Sequence, residues 1–226
     1  MRKAMAESVA MQGTPALRYR VLTPLYDFFI RLLMPERNMR EALAARIAPR
    51  PGMRVLDLGC GTGTFGIMLA RASPGTEVIG IDPDPDIVRM AERKAASSTA
   101  GIAFKIAGAE ALPFDRDAFD IVASTLVFHH LPPTVKRAAL REALRVLRPG
   151  GRLLILDFGR PAGPVQVVLG YAAAFFDGWA TTAENVAGMV PELMREAGFT
   201  EVRRTYSRAT LFGTLHLNEG KKKEFR

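Results

Sequence analysis

Residues 54–66 have the sequence Arg54-Val-Leu-Asp-Leu-Gly-Cys-Gly-Thr-Gly-Thr-Phe-Gly66, and this stretch decides the fold. An apolar run over 55–58, interrupted by a single acid, predicts a short buried strand. Alternating glycines follow at 59, 61 and 63, and apolar residues then resume at helical spacing over 65–69. The sequence therefore predicts a strand, a glycine-rich turn and a helix, with bare backbone lying against a ligand.

The charge near the end of this strand indicates which ligand the turn binds. Gly61, Gly63 and Gly66 satisfy the dinucleotide pattern G-x-G-x-x-G, but that pattern alone is weak evidence. The Asp57 carboxylate would repel a pyrophosphate on the helix N-terminus, whereas it would attract an ammonium or sulfonium group. S-adenosylmethionine carries both groups. Asp82 follows 25 residues later, close to the distance expected of an acid that binds ribose hydroxyls.

Two simpler interpretations of the same residues stay open. The three glycines could form only a tight strand-to-helix turn, and Asp57 could be only a cap for the helix that follows. We favour the nucleoside ligand because a second acid, Asp82, ends the next predicted strand.

Several motifs along the chain resemble one known family. Val55-Leu-Asp-Leu-Gly-Cys-Gly-Thr-Gly63 is similar to the first motif of class I S-adenosylmethionine-dependent methyltransferases, and the closest resemblance is to the ubiquinone and menaquinone type. Val78-Ile-Gly-Ile-Asp82-Pro-Asp-Pro resembles their second strand, and Ala109-Glu110-Ala-Leu-Pro-Phe114 resembles their adenine loop. Phe119-Asp-Ile-Val-Ala-Ser124 resembles their fourth strand, and Leu144-Arg-Val-Leu-Arg-Pro-Gly-Gly151-Arg-Leu-Leu-Ile-Leu-Asp157 their next helix and fifth strand. The resemblance runs through roughly residues 19–215.

The predicted fold is α/β, because predicted strands and helices alternate from residue 54 onward. We expect strands at 54–58, 77–81, 102–106, 119–124 and 151–157, and helices at 36–47, 64–72, 85–96, 134–147, 164–179 and 191–197. The resemblance implies a Rossmann-like, seven-stranded, mostly parallel sheet with helices on both faces and an antiparallel C-terminal strand. Residues 1–50 are expected to form an N-terminal helical cap, and residues 51–226 the methyltransferase part of the same domain.

The resemblance also implies a set of site residues. Those expected to bind the cofactor, S-adenosyl-L-methionine, are Tyr26, Asp57, Gly59, Cys60, Gly61, Gly63, Asp82, Pro83, Ala109, Glu110 and Ser124. Methyl transfer from a sulfonium needs alignment above all, and for some acceptors a general base. The candidates for that base are His129, His130 and Asp157, although related proteins often carry histidine here without a catalytic duty. We expect no metal, because adjacent histidines on a turn rarely bind one ion and no third ligand accompanies them.

One position departs from the resembled family. Its adenine loop usually has the sequence Gly-Asp-Ala-Glu, whereas this chain has Ala107-Gly108-Ala109-Glu110. The carboxylate that would accept a hydrogen bond from the adenine amino group is therefore absent at residue 108. Either Ala109 backbone groups and the Glu110 side chain replace it, or the affinity for the cofactor is reduced.

Composition restricts the cell compartment and the partners. The 226-residue chain has a net charge of +8, with basic residues in excess over 1–50 and 199–226 and near neutrality between them. A single cysteine and the lack of an apolar N-terminal segment predict a cytoplasmic protein, and the basic ends allow peripheral contact with an anionic membrane. Solvated surface charge is the simpler explanation. The sequence His130-Leu-Pro-Pro-Thr134 differs from the Asn/Asp-Pro-Pro-Tyr of amino-directed DNA methyltransferases, so nucleic acid is not an expected partner.

The methyl acceptor is the least determined feature. Helices predicted at 24–34 and 164–179 carry broad apolar faces, which favour a small or amphiphilic acceptor such as a quinone precursor, a phospholipid headgroup or another metabolite. Phe28, Phe29, Phe175, Phe176 and Trp179 are expected to line its pocket, and Arg18, Arg20 and Arg31 to bind an anionic part or a bilayer. A non-catalytic nucleoside-binding module and a NAD-dependent oxidoreductase are the alternatives. The oligomeric state stays open.

Overall fold

The computed structural model describes residues 36–97, 101–163, 166–167, 179–210 and 213–224. These residues contain a seven-stranded sheet, whose strands are β1 (Arg54–Leu58), β2 (Glu77–Asp82), β3 (Ile102–Ile106), β4 (Phe119–Thr125), β5 (Leu147–Gly159), β6 (Thr200–Thr210) and β7 (Gly213–Lys221). Their spatial order is β3-β2-β1-β4-β5-β7-β6. The strands β1 to β5 pair in parallel, and β7 runs antiparallel to both of its neighbours. The predicted fold class is confirmed.

Helices connect the parallel strands. Those in the described residues are α1 (Glu36–Ile47), α2 (Thr64–Ala72), α3 (Pro85–Ala96), α4 (Pro133–Val146), α5 (Trp179–Val186) and α6 (Val190–Glu196). A single 3-10 turn, Phe128–His130, precedes α4. The predicted bounds of α1, α2 and α3 are confirmed, and those of α4 and α6 differ by one residue at each end. The predicted helix at 164–179 lies mostly outside the described residues.

Local chemistry sets where α3 begins. The Asp84 carboxylate accepts hydrogen bonds from the backbone N–H groups of Asp86, at 2.8 Å, and Ile87, at 3.3 Å, and Pro85 occupies the first helical position. A side-chain cap of this kind contributes about 1 kcal/mol to helix stability. It also ends β2 sharply at Asp82, which keeps that acid at the edge of the sheet.

The core lies between the sheet and the helices. The central strands are buried along nearly their whole length, and their apolar side chains pack against α4 and α6, with Leu56, Phe119, Leu140, Leu153 and Leu193 among the members of this cluster. Within the described residues no helix combines the length and the apolar character needed to cross a bilayer.

Two buried charged groups lie at the C-terminal end of the sheet, Glu219 on β7 and Lys222 directly after it. Glu219 is 2% exposed and forms ion pairs with Arg46 of α1 and Arg152 of β5, which tie α1 to the sheet. Lys222, which the sequence predicts to be a solvated charge in the run 221–223, is instead buried. Its ammonium donates to Asp117 at 2.5 Å and to the Leu147 carbonyl at 2.7 Å, so the prediction was wrong for this residue.

Candidate active site

The candidate site lies where the strand order reverses, between β1 and β4. The chain continues from β1 to β2 and β3 on one side, and from β4 to β5 on the other. In parallel α/β sheets, ligands bind at the carboxyl ends of the strands beside such a reversal. Asp57, Asp82, Ser124 and Asp157 all lie at these ends, as the sequence predicts.

The glycine-rich turn after β1 lies against the end of β2. The Cys60 N–H donates to the Ile81 carbonyl at 2.8 Å, and the Gly61 N–H donates to the Asp82 carboxylate at 3.1 Å. Gly61 has φ +52°, and nothing lies within 4 Å of the position that its β-carbon would take. At Gly59, a β-carbon would lie 2.4 Å from the Val127 side chain. Gly61 therefore exposes backbone to open space, whereas Gly59 is required by packing.

Asp57 is buried beneath this turn with one carboxylate oxygen unpaired. The residue is 1% exposed, and its Oδ2 atom has no hydrogen-bond partner among the described residues. Burial raises the pKa of the Asp57 carboxyl to about 7, against the opposing effects of the Gly66 N–H and the Arg40 charge. An unsatisfied buried carboxylate is costly, so this position suits a cationic ligand that supplies the missing partner.

Asp82 is positioned by backbone groups at both of its oxygens. Its second oxygen accepts from the Asp84 N–H at 3.1 Å, which fixes the carboxylate at the edge of the sheet. Partial burial raises its pKa, and the two backbone donors oppose that rise. Pro83, directly after it, is exposed. The acid thus has a fixed orientation and lies beside an exposed apolar ring.

The loop over 107–114 is held by two residues of α4 that sequence reasoning missed. The Glu142 carboxylate accepts from the Leu112 N–H at 2.8 Å. The Arg145 guanidinium donates to the carbonyls of Leu112, at 3.0 Å, and Phe114, at 2.8 Å. The spacing of an acid and a base three residues apart signals a helix-surface pair. It gives no indication that the pair binds a loop 30 residues away.

His129 and Asp157 form a buried pair at the end of β5. The Nδ1 atom of His129 lies 2.6 Å from the Asp157 Oδ1 atom, and the His129 backbone N–H donates to Oδ2 at 3.2 Å. The Phe158 N–H donates to Oδ1 at 2.7 Å. Burial alone would raise the pKa of the Asp157 carboxyl, but the charge and hydrogen bonds of His129 outweigh it and hold that pKa below its usual range.

This geometry separates the three candidate bases. Asp157 is 1% exposed and already accepts several hydrogen bonds, so it orients His129 and is poorly placed to receive a substrate proton. A donor hydrogen on Nδ1 of His129 leaves its Nε2 atom as the proton acceptor. His130 is exposed, and its ring centroid lies 3.9 Å from that of His129. The neighbouring residues still desolvate part of its ring, and this desolvation and the adjacent His129 lower the pKa of His130, so it is neutral at pH 7.

Comparison with known proteins agrees with this geometry. A family model described as "Methyltransferase domain" matches residues 55–151. A demethylmenaquinone methyltransferase from Deinococcus radiodurans is 32% identical over 222 residues, which cover 89% of this chain and 90% of that protein. The chain belongs to the S-adenosylmethionine-dependent methyltransferase family. The family that the motifs resemble is therefore confirmed.

A further curated relative and a solved structure are similar to this methyltransferase. The demethylmenaquinone methyltransferase from Thermus thermophilus is 40% identical over 145 residues, covering 62% of this chain but only 64% of that protein. The solved structure of a Haemonchus contortus phosphoethanolamine N-methyltransferase, with phosphomonomethylethanolamine and S-adenosylhomocysteine, has a TM-score of 0.65 at 19% identity. It covers 83% of this chain and 53% of that one. This likeness concerns the fold.

Two expected cofactor residues of the methyltransferase use their side chains internally. The Ser124 hydroxyl donates to the Leu58 carbonyl at 3.0 Å and is fully buried. The Cys60 thiol lies 3.5 Å from the Gly61 carbonyl, and burial raises its pKa, so it stays a neutral thiol. These side chains hold β4 and the turn in shape. Contact with a ligand would have to come from their neighbours or from backbone.

A buried lysine of α4 is the main residue that sequence reasoning missed. Lys136 is fully buried, and its ammonium donates to the Thr181 carbonyl at 2.6 Å and to the Asn185 side chain at 2.7 Å. Asn185 in turn donates to the Phe158 carbonyl at 3.3 Å. One signal was available, because Lys136 shares the helical spacing of the buried residues Ala139, Leu140, Ala143 and Val146.

Several predicted residues lie outside the described part of the methyltransferase. They are Tyr26, the apolar residues Phe28, Phe29, Phe175 and Phe176, and the arginines Arg18, Arg20 and Arg31. For Trp179 the structure describes the backbone, which begins α5. Between residues 36 and 224, leaving out the gaps, no three His, Cys, Asp or Glu side chains are grouped in a way that could hold a metal ion.

Proposed function

We propose that this protein transfers the methyl group of S-adenosyl-L-methionine to a quinone precursor, an acceptor with a polar ring and an apolar tail. The observation that carries the proposal is the unpaired, buried Asp57 carboxylate beneath a turn whose Gly61 backbone faces open space. A cationic nucleoside supplies the charge that this carboxylate lacks. A nicotinamide dinucleotide would bring a pyrophosphate to the same place.

Each residue around the turn has a separate role in this proposal. Asp57 attracts the cationic part of the ligand through the turn, and Gly61 leaves room for it. The Asp82 carboxylate is fixed by two backbone donors and accepts hydrogen bonds from the ribose hydroxyls. Pro83, which is exposed, and Ala109 border the same site in this proposal, whereas Gly59, Cys60, Gly63 and Ser124 hold the turn and β4 in shape. When bound, the cofactor would supply a methyl group on a sulfonium, whose sulfur is a good leaving group because it departs as a neutral thioether.

His129 is the general base in this proposal. Methylating a ring carbon would require an electron-rich acceptor ring, and removing the proton of a ring hydroxyl provides this. After that carbon takes the methyl group, its own hydrogen would leave as a proton, which restores the aromatic ring. Asp157 keeps the donor hydrogen on Nδ1 of His129, so that Nε2 is the atom that takes that proton. Phe158 packs edge-on against the His129 ring, with centroids 5.3 Å apart, and limits its rotation. His130 borders the acceptor.

The acceptor class is proposed from the relatives. Both demethylmenaquinone methyltransferases act, by name, on a demethylated quinone, and the Deinococcus protein aligns along nearly the whole chain. Residues 51–226 are proposed as the methyltransferase part of the chain. The net charge of +8 supports peripheral contact with an anionic membrane, where an acceptor with an apolar tail would reside.

Two measurements test the proposal. Calorimetry with S-adenosylhomocysteine should give micromolar binding, and NAD should bind at least a hundredfold more weakly. No binding at millimolar S-adenosylhomocysteine, or tighter binding of NAD, would refute the proposed identity of the cofactor. Methyl-labelled cofactor is then incubated with a reduced demethylated quinone in one arm and phosphoethanolamine in the other. Label in the quinone supports the acceptor, whereas label only in phosphoethanolamine, or in neither, argues against it.

A further inference from the structure

Strand β5 extends beyond the end of its neighbour β4. The last pair in register is Thr125 with Leu156, and the Leu126 N–H donates to the Leu156 carbonyl at 2.9 Å. Backbone groups two residues apart in a strand point to the same side, so the N–H and the carbonyl of Phe158 face the space where β4 has ended. Other partners must satisfy these two groups, because unpaired backbone groups away from water are costly.

Two side chains supply those partners. The Asp157 Oδ1 atom accepts from the Phe158 N–H at 2.7 Å, and the same oxygen lies 2.6 Å from Nδ1 of His129. The side-chain amide of Asn185, from α5, donates to the Phe158 carbonyl at 3.3 Å. The Phe158 ring packs edge-on against the His129 ring. Phe158 therefore links Asn185 to the His129–Asp157 pair.

Lys136 determines which end of the Asn185 amide faces Phe158. The Lys136 ammonium lies 2.7 Å from the Asn185 Oδ1 atom and 2.6 Å from the Thr181 carbonyl, one helical turn earlier. A lysine ammonium has donors only, and a backbone carbonyl is only an acceptor. The Asn185 amide satisfies both groups only when its oxygen faces Lys136 and its Nδ2 donor faces Phe158.

An apolar side chain would fill the position of Lys136 in α4 at lower cost. The other buried residues on this face of the helix are Ala139, Leu140, Ala143 and Val146. Burial lowers the pKa of the Lys136 ammonium, and the Glu184 and Asp157 carboxylates oppose this effect. The nearer of the two, Glu184, lies 3.7 Å from the ammonium. A charge kept in a fully buried position points to a role other than filling the core.

We propose that Lys136 is a positioning residue for His129, because through the Asn185 amide it fixes the end of β5 and holds Phe158 in place. The inference rests on the proposed function only in taking His129 as the base. A fixed Phe158 N–H keeps the Asp157 carboxylate oriented, and Asp157 keeps the hydrogen on Nδ1 of His129. Nε2 then stays the proton acceptor. Without Lys136, the Asn185 amide is free to rotate and these contacts are released.

Nuclear magnetic resonance of the histidine ring nitrogens tests the inference without any ligand. In the full chain, His129 should have its hydrogen on Nδ1, in slow exchange with water. Lys136→Met removes the donor to Asn185, whereas Asn185→Asp keeps an oxygen for Lys136 but turns a second oxygen toward the Phe158 carbonyl. In both variants this hydrogen should exchange about tenfold faster, the effect of one lost hydrogen bond, and part of the molecules should have it on Nε2.

Lys222→Met is the matched control. Lys222 is also a buried lysine, and its ammonium donates to Asp117 and to the Leu147 carbonyl, at the opposite end of β5. Its replacement should destabilise the fold and leave the His129 signals unchanged. The inference would be overturned by His129 signals that Asn185→Asp leaves unchanged, or that Lys222→Met alters equally.

Kinetics separate positioning from binding. Lys136→Met and Asn185→Asp should each lower kcat about tenfold to a hundredfold, because the base is displaced, and keep the affinity for S-adenosylhomocysteine within about twofold. An unaltered kcat in both variants would overturn the inference and leave the proposed function standing. Absence of methyl transfer by the unmodified protein would overturn the proposed function, and the resonance experiment would then decide the inference by itself.

Discussion

Asp57 is expected to destabilise the ligand-free protein at neutral and alkaline pH. Its carboxyl has a pKa of about 7 in the folded protein, against an ordinary value of 3.8. The folded state therefore retains this proton to higher pH than the unfolded state, and the free energy of unfolding falls as pH rises between these two values. Integrated over that interval, the loss amounts to roughly 4 kcal/mol. Asn in place of Asp cannot ionise and escapes this loss.

The assay is urea denaturation of the ligand-free protein and of its Asp57→Asn variant, at pH 5 and at pH 8. The variant should gain stability relative to the unmodified protein between these pH values, by about 2–4 kcal/mol. Burying the amide changes the free energy of unfolding by the same amount at both pH values. The measured quantity is therefore how the difference in free energy of unfolding between the variant and the unmodified protein changes from pH 5 to pH 8. Asp115→Asn, which alters an exposed carboxylate, is the control and should show no such change.

A stability difference between Asp57→Asn and the unmodified protein that is the same at pH 5 and pH 8 would refute this reasoning, because the carboxyl would then titrate normally. The same substitution should weaken binding of S-adenosylmethionine about tenfold at pH 8, the effect of losing a hydrogen bond to a charged group. Gain of stability together with loss of affinity would identify Asp57 as a residue retained for binding.

Three other substitutions give separate outcomes. Asp82→Ala should weaken S-adenosylhomocysteine binding about tenfold to a hundredfold in calorimetry, through lost ribose hydrogen bonds, and unchanged affinity would contradict its assignment. His129→Gln should lower kcat by about 10²–10⁴ with cofactor affinity retained, whereas an unaltered kcat would leave only a structural role. Lys136→Met should lower the free energy of unfolding by about 3–5 kcal/mol, since it leaves buried acceptors unpaired. The control for Lys136→Met is Lys223→Met, at an exposed lysine, which should change the free energy of unfolding by less than about 0.5 kcal/mol.

The positions of Asp57, Asp82 and the glycine-rich turn could be predicted from the sequence because their signals are local. Asp57 and Asp82 each lie at the end of an apolar run, and the glycines follow the first run directly. Strand bounds, and with them the edge of the sheet, follow from hydrophobic patterning and turn residues. The order of strands in the sheet then brings the two acids together without any further information.

The rest depends on contacts between distant parts of the chain. His129 and Asp157 are 28 residues apart, and no pattern indicates that they pair. Lys222 belongs to a run of three lysines that favours solvent, yet it is buried because Asp117 and a backbone carbonyl pair with it. Helix α5 was not predicted because its adjacent threonines, Thr181 and Thr182, have low helix propensity, and tertiary contacts override that preference.

The position of β7 has a consequence for how the protein is made. This strand is synthesised after β6 but lies between β5 and β6, and all of its residues except Lys221 are buried. Until it leaves the ribosome, β5 has an open edge and β6 has no neighbour in the sheet. An open hydrophobic edge invites pairing with other chains. The nascent protein is therefore expected to rely on chaperones until β7 inserts, and truncation within 213–221 should cause aggregation more readily than loss of a peripheral strand would.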